Sequence, residues 1–207
     1  MPYFPSERFT VTKFILRKFK PVKDIPETVE FFVKSKNKTE KITIRKAKQS
    51  DLKAISELDL EFAKSQYNSY DKTLNLNWTY SRSGQRYLKK RMSRGDSLLK
   101  VALSDRGEII AYASGGIIKP HPLSIKARYA ELESIFIKDE YRGSGLGRKL
   151  TEDFIRWCRK IKVDFINLAV ARENEKVINL YKKLGFRESY SVMEMDLRNE
   201  PFKRTEQ

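Results

Sequence analysis

The residues able to do chemistry gather in the second half of this 207-residue chain. Arg142-Gly143-Ser144-Gly145-Leu146-Gly147 follows an apolar strand pattern and opens a helical one. Glycines let backbone N–H groups approach an anion closely, and a helix N-terminus adds favourable potential, so the segment reads as a phosphate site. Two common phosphate loops do not fit it. A P-loop counted from Gly143 needs glycine where Arg148 stands and Ser or Thr where Leu150 stands; a dinucleotide fingerprint needs G-x-G-x-x-G and an acid at the end of the next strand, whereas here the spacing is G-x-G-x-G and Asp164 begins that strand. The flanking Arg142, Arg148 and Lys149 argue against a plain turn.

Glu131 and Glu133 stand two apart in YAELESIFI, which puts both on one face of a strand. Such carboxylates can accept a proton or serve as ion-pair partners. Tyr181 shares a helical stripe with Val177 and Leu184, a spacing that fits a core aromatic, and Asn174 is positioned to cap that helix. Cys158, beside Trp157 on an apolar stripe, reads as a core filler, and His121, in a His-Pro loop, as a loop residue. With one cysteine and one histidine there is no ligand cluster, and no metal is expected.

The elements that must position these groups follow from periodicity. KITIRKA alternates as a strand; Ser50 or Asp51 can cap a helix bearing Leu52, Ile55, Leu58 and Phe62 on one face. A polar, aromatic-rich loop, YNSYDKTLNLNWTYS, leads to a basic helix from about Gly84 to Met92. SLLKVALS and EIIAYASGGIIK form two antiparallel strands around the turn Asp105-Arg106-Gly107, and YAELESIFI is a third core strand. The helix opened by the glycine loop carries Leu146, Leu150, Phe154, Trp157 and Ile161 as one stripe. VDFINLAVA is expected as a strand, a helix ending at Gly185 follows, and FRESYSVMEMDL reads as a closing strand or bent hairpin. This order predicts an α/β chain with a mixed sheet flanked by helices.

Composition sets the broader limits. Hydrophobic residues at 40% and charged residues at 34% describe a globular chain, and this length can bury about 70% of the unfolded surface without disulfide or metal staples. No apolar stretch reaches membrane-spanning length, the start MPYFPSERF lacks a secretory layout, and the lone cysteine fits a reducing compartment, so a soluble, cytoplasmic protein without membrane association is expected. Lys and Arg number 43 against 27 Asp and Glu, a net charge of +16. The excess is graded: residues 1–46 hold 12 basic and 5 acidic groups, residues 161–207 hold 9 and 8. Such a field draws nucleic acid, acidic protein or a phosphate-rich cofactor and repels polyamines.

From Lys41 to about Leu197 the sequence resembles the GNAT-type N-acetyltransferases. The resemblance rests on Arg142, Gly145 and Gly147 in the Arg/Gln-x-x-Gly-x-Gly/Ala signature, on ELESIFI as the cofactor strand, and on ARENEKVINLYKKLGFRE as the Asn-to-Tyr-x-x-x-Gly-Phe block. It implies the GNAT acyltransferase fold and acetyl transfer from acetyl-CoA to a primary amine by direct attack in a ternary complex. By analogy, backbone groups of Ile135, Phe136 and Ile137 hold the pantetheine arm, and N–H groups from Arg142 through Gly143, Ser144, Gly145, Leu146 and Gly147 hold the pyrophosphate. Arg148, Lys149 or Lys183 meet the remaining phosphate charge, and Asn174 contacts the cofactor arm. Glu133 matches a base position of some members, with Glu131 in reserve, and Tyr181 matches the usual acid. The loop carrying Tyr67, Tyr70, Trp78 and Tyr80 corresponds to the acceptor wall, beside Glu131.

The resemblance says nothing of residues 1–40, which read as a basic N-terminal extension able to form a hairpin; residues 41–200 form the expected domain and 201–207 a polar tail. An acidic peptide or nucleic acid is a candidate partner, and the chain is expected as a monomer or homodimer. The competing reading is a GNAT-fold module that binds acetyl-CoA with little catalysis while its basic surface grips nucleic acid or a ribosomal partner.

Overall fold

The computed structural model describes residues 28–35, 38–119, 128–189 and 191–192. Six strands lie side by side in chain order: β1 (Thr28–Ser35), β2 (Lys38–Lys46), β3 (Ser97–Leu103), β4 (Ile109–Ile118), β5 (Tyr129–Ile137) and β6 (Phe165–Asn167). Neighbours through β5 are antiparallel, and β5–β6 is parallel, with helix α3 (Leu146–Lys160) in the connection that a parallel pair requires. Helices α1 (Leu52–Ser69) and α2 (Arg82–Ser93) separate β2 from β3, and α4 (Glu175–Lys183) follows β6. The sheet is mixed and flanked by helices, as the patterning predicts. β1 and the start of β2, a hairpin, lie within the segment read as the extension. His121 and half of the expected closing strand lie outside the described residues; 186–189 have no regular structure.

Strand alternation sorts the core into two layers. Leu99, Val101 and Tyr112 pack with Ile55 and Leu58 of α1 and Leu88 and Met92 of α2. On the opposite face, the α3 stripe sits on the sheet: Leu146 and Leu150 join Ile44, Ala102 and Ile110, while Phe154, Trp157, Cys158 and Ile161 join Leu98, Ala130 and Leu132. Cys158 is core filler as expected, its thiol pushed up to about 12 by burial. Beneath α3, Lys100 of β3 donates to Asp153 at 3.1 Å, an ion pair almost wholly buried.

Two local expectations change. Asp51 stands at the N-cap of α1 but makes no side-chain cap bond to that helix. Its carboxylate instead accepts from Arg45 at 2.6 and 2.9 Å and from the Lys48 N–H at 2.7 Å, because a bidentate guanidinium is the stronger partner. The expected strand VDFINLAVA shrinks to Phe165–Asn167, since its pairing with β5 stops at Glu131–Asn167.

That stop coincides with a β-bulge. Ser114 of β4 faces Ser134 and Gly115 faces Leu132, which leaves Glu133 as the extra residue. The bulge shifts the phase of β5: Ala130 and Leu132 pack toward α3 before it, Ile135 and Ile137 after it, so Phe136 turns to the α1 side. Gly115 permits the close crossing of this region, for a Cβ there would strike the Glu131 carbonyl and the Phe154 ring.

Candidate active site

The glycine loop takes the conformation its composition allows. Gly143 and Gly145 adopt φ of +76° and +86°, where a side chain would be strained, and Gly145 precedes α3 directly. Among the described residues, no acceptor meets the N–H groups of Gly143, Ser144, Gly145, Leu146 or Gly147, whereas the Arg142 N–H donates to the Asp139 carbonyl at 3.2 Å. The Arg142 side chain turns back on the strand end, donating to the Ile137 carbonyl at 3.0 Å and pairing with Asp139 at 2.8 Å. It shapes the loop. Gly147 lies under the Ile137 side chain, where a Cβ would be 3.2 Å from Cδ1. Arg148 is exposed and paired with Glu152 at 2.9 Å; Lys183 is exposed at the end of α4.

Above this loop the sheet is open. β6 accompanies β5 for three residues, and among the described residues no strand pairs with the far edge of Leu132–Ile137. The backbone of Ile135, Phe136 and Ile137 thus has β4 on one side and an unfilled edge on the other. Asn174 stands at the N-cap of α4 without a side-chain cap bond, so its amide is not spent on the helix.

The two glutamates turn toward the α1–α2 layer but have different surroundings. Glu133 accepts from the Tyr87 hydroxyl, the Arg91 guanidinium and, at 3.5 Å, the Ser114 hydroxyl. Both partners in the ion pair are about 85% shielded, with side-chain exposures of 16% and 14%. Arg91 also stacks on Tyr87, 5.1 Å from the ring centroid, and fills the space a Cβ on Gly116 would take. Burial raises the Glu133 pKa, opposed by the charge of Arg91 and by its donors. The Glu131 carboxylate has no hydrogen bond or ion pair with a described residue. Its pKa is raised by burial and then by the charge of Glu133, with Arg91 opposing.

Around this pair a polar network ties the layer together. Tyr112, fully buried, donates to Asp59 at 2.5 Å; Thr79 donates to the same carboxylate; and Gln85 donates to Ser56 at 3.0 Å and to the Thr79 carbonyl at 2.8 Å. Of the expected wall residues, Tyr67 lies on α1 under Lys72, Tyr70 ends α1, and Tyr80 is 53% exposed. Trp78 packs edge-on to Tyr87 at 5.4 Å and so joins the Glu133 cluster. Tyr181 packs against the α3 core and Phe186, and burial pushes its phenol up to about 12. Tyr87, Arg91, Asp59 and Tyr112 were not singled out by sequence. No group of three or more His, Cys, Asp or Glu among the described residues is arranged to hold a metal. No helix there is long and apolar enough to cross a membrane.

A strand edge opened by a bulge thus lies over a loop of unpaired N–H groups at a helix start. The chain belongs to the acetyltransferase (GNAT) family, whose model matches residues 52–186. It is 36% identical over 67 residues to an uncharacterized N-acetyltransferase of Methanocaldococcus jannaschii, covering 32% of this chain and 30% of that one. It is 29% identical over 87 residues to the spermine/spermidine N(1)-acetyltransferase of Bacillus subtilis, covering 42% and 57%. The chain thus spans less than two thirds of the curated relatives it matches first. Among solved structures, the tetramutant of the BH1408 protein from Bacillus halodurans superposes with a TM-score of 0.63 at 21% identity, covering 74% of this chain and 99% of that one. An aminoglycoside N-acetyltransferase, AAC(6')-Iy, in complex with CoA gives 0.59 at 18%, covering 77% and 96%. These two likenesses concern the fold.

Proposed function

We propose that this protein transfers acetyl from acetyl-CoA to a primary amine by direct attack. The observation that carries the reading is the open β5 edge ending over the unpaired N–H groups of Gly143–Gly147. The edge offers an extended amide chain the hydrogen bonds of a missing strand, and the loop offers a pyrophosphate its donors. Arg148, Lys149 and Lys183 supply further positive charge, and Asn174 an uncommitted amide. Bound acetyl-CoA supplies the activated acyl carbon and a thiolate leaving group.

The chain's own groups manage protons. An alkyl ammonium with a pKa near 10 costs about 4 kcal/mol to deprotonate at pH 7. Glu131 and Glu133 are the proposed acceptors of that proton, directly or through water. Arg91 and Tyr87 occupy and fix the Glu133 carboxylate and oppose the rise that burial gives its pKa, while Glu131 retains open lone pairs, which suits it better to take the proton. The amine nitrogen then bonds to the acyl carbon as the carbon–sulfur bond breaks; Tyr181 donates its proton to the thiolate, and the second proton shed by the nitrogen returns through water to the Tyr181 phenolate. A phenol held near 12 is fully protonated at neutral pH. Trp78, Tyr80, Tyr67 and Tyr70 are proposed to border the acceptor.

The test is incubation of the purified protein with labelled acetyl-CoA and a panel of peptide and small-molecule amines, with Tyr181→Phe as control. Transfer that falls in the variant supports the reading. Acetyl-CoA binding without transfer to any amine would replace it by the acetyl-CoA-binding module.

A further inference from the structure

The face of α2 turned away from the sheet carries charge that the proposed mechanism does not use. Arg82, Arg86, Lys89 and Lys90 are exposed and stand at positions i, i+4, i+7 and i+8, so they share one face. None pairs with an acid among the described residues, although Arg91 is matched by Glu133 and Arg94 by Asp96. Between Asp71 and Asp96 the sequence holds seven Lys or Arg and no Asp or Glu. Like charges at this spacing repel, so the helix keeps them against its own stability. The same helix holds Glu133 through Tyr87 and Arg91, which stand about 115–155° round the axis from the centre of the basic face, so a docked chain brings its amine to the carboxylate pair by crossing the helix, about 10 Å wide.

Resting on the acetyl-transfer reading, we infer that the acceptor amine belongs to an acidic polypeptide segment docked along α2. Arg82 and Lys90 are eight residues apart, about 12 Å along a helix. An extended chain covers that distance in about four residues. The face therefore reads Asp and Glu over about four residues of the segment that carries the acetylated amine. A polyamine has only the charge this face repels. Nucleobase amino groups delocalise their lone pairs into the ring and do not need the carboxylate pair to shed a proton. Tyr80, exposed just before α2, adds an apolar contact for a peptide.

The experiment compares kcat/KM for transfer from labelled acetyl-CoA to two single-lysine peptides of equal length, one flanked by Asp and Glu, one by Gln. Wild type is set against Arg82→Glu/Arg86→Glu/Lys89→Glu and against the corresponding triple Gln variant, which serves if charge reversal impairs folding; acetyl-CoA binding reports the fold. The expected result is a preference for the acidic peptide of about tenfold at low salt, lost in both variants and shrinking as salt rises. Equal rates on the two peptides, or a preference that survives both variants, would overturn the inference. So would RNA binding to this face that the acidic peptide does not compete away. Transfer to a small amine but to neither peptide would also overturn it while leaving the acetyl-transfer reading intact; failure to bind acetyl-CoA would remove both.

Discussion

Arg91→Met keeps most of the aliphatic bulk at the centre of the site and removes the cation paired with Glu133. Because both side chains are more than four-fifths shielded, the carboxylate left behind must either stay charged without its partner or take a proton. Removing one member of a buried pair costs about 3–5 kcal/mol, and the residual exposure here argues for the lower end, about 3. At 2–4 °C per kcal/mol for a chain of this size, Tm falls by roughly 6–12 °C near neutral pH. The pH dependence is the sharper signature. Glu133 already has a raised pKa from burial, and losing Arg91, a lowering influence, raises it further. Between the ordinary glutamate value of 4.5 and this higher folded value, the folded variant binds more protons than the unfolded chain, so its stability falls as pH rises. Thermal melts of wild type and variant from pH 4.5 to pH 8 should diverge with increasing pH. A penalty that is independent of pH, or below about 1 kcal/mol, would refute the claim that Arg91 neutralises a desolvated carboxylate.

Three further outcomes follow from the same geometry. Tyr181→Phe should lower kcat by about 10²-fold with little change in acetyl-CoA KM, and wild-type kcat should show no loss from phenol ionisation below about pH 11, since that group titrates near 12; steady-state profiles check both. Glu131→Gln should remove the acidic limb of kcat/KM at a small cost in melting temperature, whereas Glu133→Gln should mainly alter stability; a lost acidic limb in the second variant alone would make Glu133 the base. Gly145→Ala, forcing a side chain to φ +86°, should destabilise by about 1–2 kcal/mol and weaken acetyl-CoA binding measured by calorimetry.

What sequence could reveal of this molecule depended on how local each feature is. The strands from β3 to β5, the α3 stripe and the glycine loop are written in periods of two and 3.6 and in adjacent glycines, so they are readable from neighbouring residues. Glu133 was visible as a candidate, but its surroundings were not: Tyr87 and Arg91 lie 46 and 42 residues away on a helix whose sequence showed only that it is basic. The Lys100–Asp153 pair, 53 residues apart, was hidden for the same reason. The length of β6 could not be read from VDFINLAVA either. β-branched residues favour a strand, but its end was set by where β5 stops offering a partner.

The bulge at Glu133 also fixes where this gene can tolerate a change of length. Removing Glu133 itself would leave β5 regular, with Leu132 still opposite Gly115 and Ser134 opposite Ser114, so everything beyond it keeps its destination. Losing Ile135 instead would thrust Phe136 into the α3 layer and turn Ile137 toward α1. The neighbouring Asp139–Tyr141 turn would be drawn back by one step, taking the glycine loop out of line with the strand end it extends. Loss of one codon at Ile135 acts on two hydrophobic layers and on the anion loop together, whereas the same event at Asp105-Arg106-Gly107 would alter only an exposed turn.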